Sequence, residues 1–369
     1  MKQRILRLIK TETVLLLSFF LALLSVFFVH PDKEYLAYVD YRTIALLFCL
    51  MSVVAGLNGL GLFEKIAHTL LKRCKTLRIL ALVMTALCFF SSMLITNDVA
   101  LITFVPLTLA ALRLSNGKNH AIFIVVLETV AANLGSMLTP IGNPQNLFLY
   151  NFYHMDVGTF LLTVLPYAGL SLLMLVGACC FLPNSTMSYA EISAPDLPKT
   201  PLRYTMYAAL FILALLSVFR VLPYYVTLII TLAALLILDR KALLRVDYSL
   251  LLTFVFLFVF IGNLGRIPVF FNFLQNIVDG REVIAGVLSS QIFSNVPAAI
   301  LLSEFTQNAP ALLLGVNLGG LGTLIASMAS LISFRFAIKE QLPAGKYLLW
   351  FTVVNVLFLL INLLLWLII

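Results

Sequence analysis

Two polar stretches hold most of the chain's chemically capable residues, and each is written twice. Residues 133–147 read NLGSMLTPIGNPQNL and residues 317–331 read NLGGLGTLIASMASL. Laid over each other without a gap, they agree at six of fifteen positions: Asn133/Asn317, Leu134/Leu318, Gly135/Gly319, Thr139/Thr323, Ile141/Ile325 and Leu147/Leu331. Each follows a shorter echoed motif, Thr96-Asn97-Asp98 in the first half and Ser294-Asn295-Val296-Pro297 in the second. Amides, hydroxyls and a carboxylate can hold small ions by hydrogen bonding and charge, without covalent chemistry. No Ser/His/Asp, HExxH or CxxC constellation accompanies them, so an enzyme is not expected. No phosphate-binding P-loop is present either.

These residues are set in a text that must cross a bilayer. The chain has 369 residues, 62% hydrophobic and 11% charged, and its apolar runs are long enough to span the hydrocarbon. Full crossings are expected at about 12–29, 41–60, 119–155 (broken near 139–145), 158–182, 203–221, 224–239, 249–267, 309–338 (broken near 323–330) and 345–368. Segments 79–95 and 99–114 meet at Thr96-Asn97-Asp98; segments 283–293 and 297–307 meet at Ser294-Asn295. Both pairs read as re-entrant hairpins, tolerated only where protein or water covers the backbone. Residues 61–77 and 268–280 read as interfacial amphipathic helices. The expected architecture is an all-α polytopic membrane protein with inverted repeats, each with a re-entrant hairpin and a discontinuous helix. The first repeat covers 1–182, a linker with a connecting helix 183–223, and the second repeat 224–369.

The net charge of +8 does not point to nucleic acid, because the bases lie in short loops where they set topology. With a cytoplasmic N-terminus, 19 Lys and Arg fall inside and 5 outside: Lys33, Arg42, Arg220, Arg266 and Arg281. That partition places the linker inside and the C-terminus outside, in an inner (cytoplasmic) membrane. The first ten residues look like a signal-peptide start, but the following segment lacks a small-residue cleavage site and reads as a retained helix. The five cysteines have no metal or redox spacing.

A broken helix exposes N–H groups at one new end and C=O groups at the other, which favour anions and cations respectively. Asn143-Pro144 reads as N-cap and first residue of a second half-helix, with Ser327 at the matching place. Thr139-Pro140 is expected to end the half-helix before it. Asn97 and Ser294 are expected to cap the returning hairpin arms. The candidate anion contacts are Asn97, Thr139, Asn143, Ser294, Asn295, Thr323 and Ser327. The candidate coupling-cation contacts are Thr96, Asp98, Glu128, Asn133, Gly142, Asn146 and Asn317, with Asn97, Asp98 and Asn133 forming a candidate Na⁺ site. A lone Asn or Ser in a membrane helix more often bonds a neighbouring helix; it is the twofold echo that favours a site. Gly135 and Gly319 read as close-packing glycines, and Asp98 could equally cap its helix.

ITND followed by AANLGSMLTPIGNPQNL, then SNVP and a second Asn-Leu-Gly segment, resembles the ion-transporter superfamily. That group includes divalent anion:sodium symporters, citrate transporters, arsenite permeases and a branch of sodium/proton antiporters. The TPIGNPQN stretch is most similar to the arsenite-permease and antiporter branch. The resemblance implies inverted repeats, an elevator-like transport domain against a scaffold, a homodimer, and substrate or sodium contact by the tip residues Asn97 and Asn295. The symporters carry Ser-Asn-Thr at both tips, where this chain has Thr-Asn-Asp and Ser-Asn-Val. The expected function is cation-coupled secondary transport of a small carboxylate or oxyanion by alternating access. A Na⁺/H⁺ antiporter or arsenite permease is the alternative. The coupling ion is Na⁺ or H⁺, and no cofactor is expected.

Overall fold

The computed structural model describes residues 12–114, 117–186 and 200–369. The basic residues Lys2 to Lys10 and most of the 183–202 linker lie outside the described residues. Eighteen α-helices follow one another among the described residues. They run α1 Thr13–Val26, α2 Tyr41–Gly59, α3 Leu62–Leu71, α4 Leu77–Ile95, α5 Asn97–Leu114, α6 Ala121–Ser136 and α7 Pro144–Phe152. Then come α8 Val157–Cys180, α9 Pro201–Val218, α10 Tyr224–Leu238, α11 Arg240–Leu243, α12 Tyr248–Gly265, α13 Pro268–Val278 and α14 Glu282–Phe293. The last four are α15 Asn295–Ser303, α16 Ala309–Leu318, α17 Met328–Lys339 and α18 Ala344–Ile368. Seven helical segments among the described residues are long and apolar enough to cross a membrane. The protein is therefore an all-α polytopic membrane protein.

Helix starts follow local chemistry. Asp40 and Asp247 precede α2 and α12 with nearly the same backbone (φ −76°, ψ 85° and φ −78°, ψ 84°). Each carboxylate accepts a hydrogen bond from the backbone three residues on, Thr43 N and Leu250 N, at 3.0 Å. Asp156 and Thr76 cap α8 and α4 in the same way. Such caps satisfy N–H groups that have no intrahelical partner.

Burial then sorts the helices. Every residue of α6 except Phe123 is buried, as befits a helix that is apolar all round. It packs against α4, α5, α8, α17 and α18. Gly135 sits where an added Cβ would stand 2.1 Å from the carbonyl oxygen of Phe89, so α6 and α4 approach backbone to backbone. Gly319 lies against the Ser290 side chain of α14, where an added Cβ would stand 2.6 Å from its hydroxyl. By contrast α8 and α18 leave Leu162, Leu173, Leu349 and Leu367 exposed, a surface suited to lipid. A second, smaller core joins Val53 of α2 and Leu60 just after it to Tyr207 and Leu210 of α9 and Leu235 of α10.

Several expected lengths are corrected. α1 and α10 have 14 and 15 residues, fewer than the roughly 20 that span the hydrocarbon unaided. In the first hairpin, α4 has 19 residues and is long enough to cross, because Thr76 starts it two residues earlier than the hydropathy suggests. The arms of the second pair have 12 and 9 residues, so shortness argues for re-entry only there. The helix break expected at 139–145 begins earlier. α6 stops at Ser136, three residues before Thr139, and Pro140 lies inside the loop rather than at its edge.

Candidate functional site

The two hairpin tips share an unusual backbone. Thr96 has φ 71° and ψ 152°, and Ser294 has φ 75° and ψ 154°. This region is nearly confined to glycine, and holding another residue there costs of order 1–3 kcal/mol. Neither residue is glycine, so the surrounding packing imposes the conformation. It turns the chain sharply enough for α5 and α15 to begin at the next residue, Asn97 and Asn295. Asn97 is thus the first helical residue rather than the cap; its Oδ1 accepts from the N–H of Asp98 at 3.0 Å. Ser294 occupies the cap position but makes no side-chain cap bond; its hydroxyl is 3.4 Å from the carbonyl of Ala326.

The two breaks repeat one another as well. Asn143 (φ −156°, ψ 159°) and Ser327 (φ −144°, ψ 136°) precede α7 and α17. Asn143 caps α7 through the N–H of Asn146 at 3.0 Å. Ser327 makes no cap bond, because its hydroxyl donates to Asn133 Oδ1 at 3.0 Å. Thr139 and Thr323 both reach back to the first arm of their own hairpin, to the carbonyls of Met93 and Gln291. Those carbonyls lie three residues before Thr96 and Ser294 respectively.

Asn133 ties the halves together. Its Oδ1 accepts from Asn97 Nδ2 at 3.0 Å and from Ser327, and its Nδ2 is 3.5 Å from the carbonyl of Gly320. One turn on, Ser136 donates to the carbonyl of Asn133 and accepts from Asn143 Nδ2 at 3.1 Å. Asn143 Nδ2 also reaches Asn317 Oδ1 at 3.3 Å, and Asn317 Nδ2 donates to Asn146 Oδ1 at 2.7 Å. Asn146 Nδ2 faces the carbonyls of Ser136, Met137 and Thr139 at 3.1–3.3 Å. Asn295 lies beside Gly320, where a Cβ would stand 3.0 Å from its Nδ2. The N-terminal ends of α5, α7 and α17 therefore contribute to one buried network, and that of α15 borders it. Its side chains are neutral.

Of the residues expected from sequence, Asn97, Asn133, Asn143, Asn146, Asn317 and Ser327 are joined directly. Ser294 and Asn295 border them, and Gly142 folds against the Ser136 carbonyl. Thr323 is exposed and bonded to Gln291, outside the network. Glu128 also stands apart: fully buried, it accepts from Thr108 at 2.5 Å, and its other oxygen has no partner.

Two groups at the network carry unspent hydrogen-bonding capacity. Asp98 Oδ1 is shut from solvent and has no hydrogen-bond partner. Gln145, the second residue of α7, is 1% exposed, and neither its Oε1 nor its Nε2 has a protein partner. An unpaired buried polar group costs about 1–3 kcal/mol, so each has capacity for a further partner. Gln145 did not stand out in the sequence. Its place inside NPQN, next to the capping Asn143, was the available signal. In the second half its counterpart is Ala329, and that of Asp98 is Val296. The first half thus carries the extra unpartnered polar atoms, and the second leaves its helix starts without side-chain caps.

An all-helical bundle with paired helix breaks around a buried amide network defines a membrane transporter. The chain belongs to the citrate transporter family (CitMHS), whose model matches residues 5–319. That match takes in the first break and both hairpin tips and ends at Gly319. The chain is similar to an uncharacterized transporter of Methanocaldococcus jannaschii, 37% identical over 92% of this chain and 94% of that protein. It is similar to the inner membrane protein YbiR of Escherichia coli, 32% identical over 85% of this chain and 84% of that one. A third relative, the silicon efflux transporter LSI3 of Oryza sativa, is 35% identical over 47% of this chain and 36% of its own.

Proposed function

We propose that the protein is a secondary active transporter that moves a small carboxylate or oxyanion together with Na⁺ or H⁺ by alternating access. The observation that carries this reading is the convergence of the N-termini of α5, α7, α15 and α17 at one buried cluster of amides and hydroxyls. Helix N-termini favour anions through their free N–H groups and the helix dipole. Those of α15 and α17 have no side-chain cap, so their N–H groups are free to take an anion's oxygens. Asn97, Asn295 and Gln145 supply amide donors. Asp98, with its unpartnered oxygen, binds the coupling cation together with Asn133 and the carbonyls of the break.

The matched backbones at the tips, the breaks and the Asp40/Asp247 caps support two inverted repeats, 1–182 and 224–369, around this site. In that arrangement the N-terminus is cytoplasmic, the C-terminus is external, the membrane is the inner one, and the working unit is a homodimer. A Na⁺/H⁺ antiporter is the second reading, favoured by the unpartnered Asp98 oxygen. Anion stabilisation separates the two. A carboxylate, phosphate or arsenite present at 100 times its Kd should stabilise the purified protein by about 2.7 kcal/mol, read as a raised melting temperature. Stabilisation by Na⁺ alone, with no response to any anion, would instead establish the antiporter.

A further inference from the structure

Two arginines stand together at the end of the molecule where α2 begins. Arg42, in the first turn of α2, donates from Nη2 to the carbonyl of Ser217 at 2.9 Å. The backbone N–H of Arg220 reaches the same carbonyl at 3.1 Å. Arg220 follows α9 with φ 64°. Its guanidinium reaches the carbonyls of Tyr150 at 2.9 Å and His154 at 3.3 Å, and lies 4.9 Å from the Tyr150 ring centre. The two cations are electrostatic neighbours of each other and of Tyr150.

Neither is in ion-pair contact with a carboxylate, although Asp40 offsets part of the charge on Arg42. Among the described residues no carboxylate lies within 4 Å of Arg42 or Arg220, whereas Arg266, also assigned to the outside, is 2.7 Å from Asp32 and 3.3 Å from Glu34. Asp40 is two residues from Arg42, but Thr43 donates to both of its oxygens. Arg42 is half-buried, and its Nε is shut from solvent without a partner. A guanidinium offers five donors in a planar fork that fits a carboxylate or oxyanion. Two such forks side by side repel each other until an anion lies between them. Tyr150 lies on α7, six residues after Pro144, so the pair stands about 9 Å along the same half-helix from the break.

We propose that Arg42 and Arg220 form a second anion site that captures the substrate at the outer face and passes it along α7 to the network. The proposal rests on the anion reading of that network. Holding carbonyls at the ends of α7 and α9 is the competing role, and it requires no free anion.

The test uses full-length protein and inorganic phosphate as probe. The Arg42→Gln/Arg220→Gln protein should need at least tenfold more phosphate for its half-maximal thermal shift. Charge-keeping Arg42→Lys/Arg220→Lys should retain most of the phosphate response. In proteoliposomes the Gln pair should raise KM for the transported anion about tenfold, the low end of electrostatic focusing, with kcat unchanged. Arg220→Cys should be labelled by an impermeant thiol reagent in intact cells. A lower melting temperature in the Gln pair with an unchanged phosphate midpoint would leave only helix capping and overturn the proposal. Failure to label Arg220→Cys would overturn capture from outside. If no transported anion is found but the phosphate shift still depends on the arginines, the network reading fails and the arginine site stands.

Discussion

Asn295→Ala should abolish transport in a protein that still folds. The side chain is buried but weakly tied: its Oδ1 receives only a long contact from Ser294 at 3.5 Å, and no hydrogen bond from its Nδ2 to protein is seen. If Asn295 were a structural tie, its loss would barely register. If its amide contacts substrate, uptake should fall at least a hundredfold, equivalent to about 2.7 kcal/mol of lost transition-state stabilisation. Asn97→Ala should give the same loss with a clearer stability cost, because Asn97 donates to Asn133 and accepts from Asp98 N–H. That cost is about 1–3 kcal/mol, the usual range for leaving a buried partner unmet. Uptake in proteoliposomes and monodispersity on size exclusion are the readouts. Near-normal uptake by monodisperse Asn295→Ala would remove the second tip from the site.

Asp98→Asn should uncouple the transporter from its cation. The fold tolerates an uncharged residue at this position, since the matching residue of the second tip is Val296, also one residue into its helix. What the carboxylate adds is charge, and its buried Oδ1 is unmatched by any protein donor. A carboxylate beside an anion site repels the substrate until Na⁺ or a proton neutralises it, and such a charge within the membrane is costly unless paired. The amide keeps the size and removes the charge. Anion uptake by Asp98→Asn should therefore be absent or independent of Na⁺ and pH. An activation curve that overlays the wild type would leave Asp98 without a coupling role and move attention to Glu128, the buried acid hydrogen-bonded to Thr108.

The order of the helices and the restart of the chain after each break were legible because they are written in local chemistry. Asn143-Pro144 starts α7, Asp40 and Asp247 start α2 and α12, and α3 and α13 begin within one residue of their expected positions. Other features were not legible. The positive φ at Thr96 and Ser294 runs against the preference of both residue types, so only tertiary packing could dictate it. Thr139 and Thr323 looked like ligands because they are echoed, yet the echo is that each anchors its loop to its own hairpin. Sequence also could not show Asn133 as the hub, nor Gln145 as a buried amide without partners. Both depend on which side chains meet across halves more than 180 residues apart. The Arg42/Arg220 pair was read only as two loop charges, since α2 and α9 are distant in sequence.

The central claim is that one site binds an anion and a cation cooperatively. Thermal stabilisation by the anion, titrated with and without Na⁺ and at two pH values, tests it most directly. Linkage requires that a cation which strengthens anion binding be strengthened by the anion to the same degree. The account predicts that Na⁺ or lower pH moves the anion midpoint at least fivefold, that the anion moves the cation midpoint equally, and that Asp98→Asn removes both shifts. Anion and cation midpoints that are indifferent to each other in the wild-type protein would contradict it.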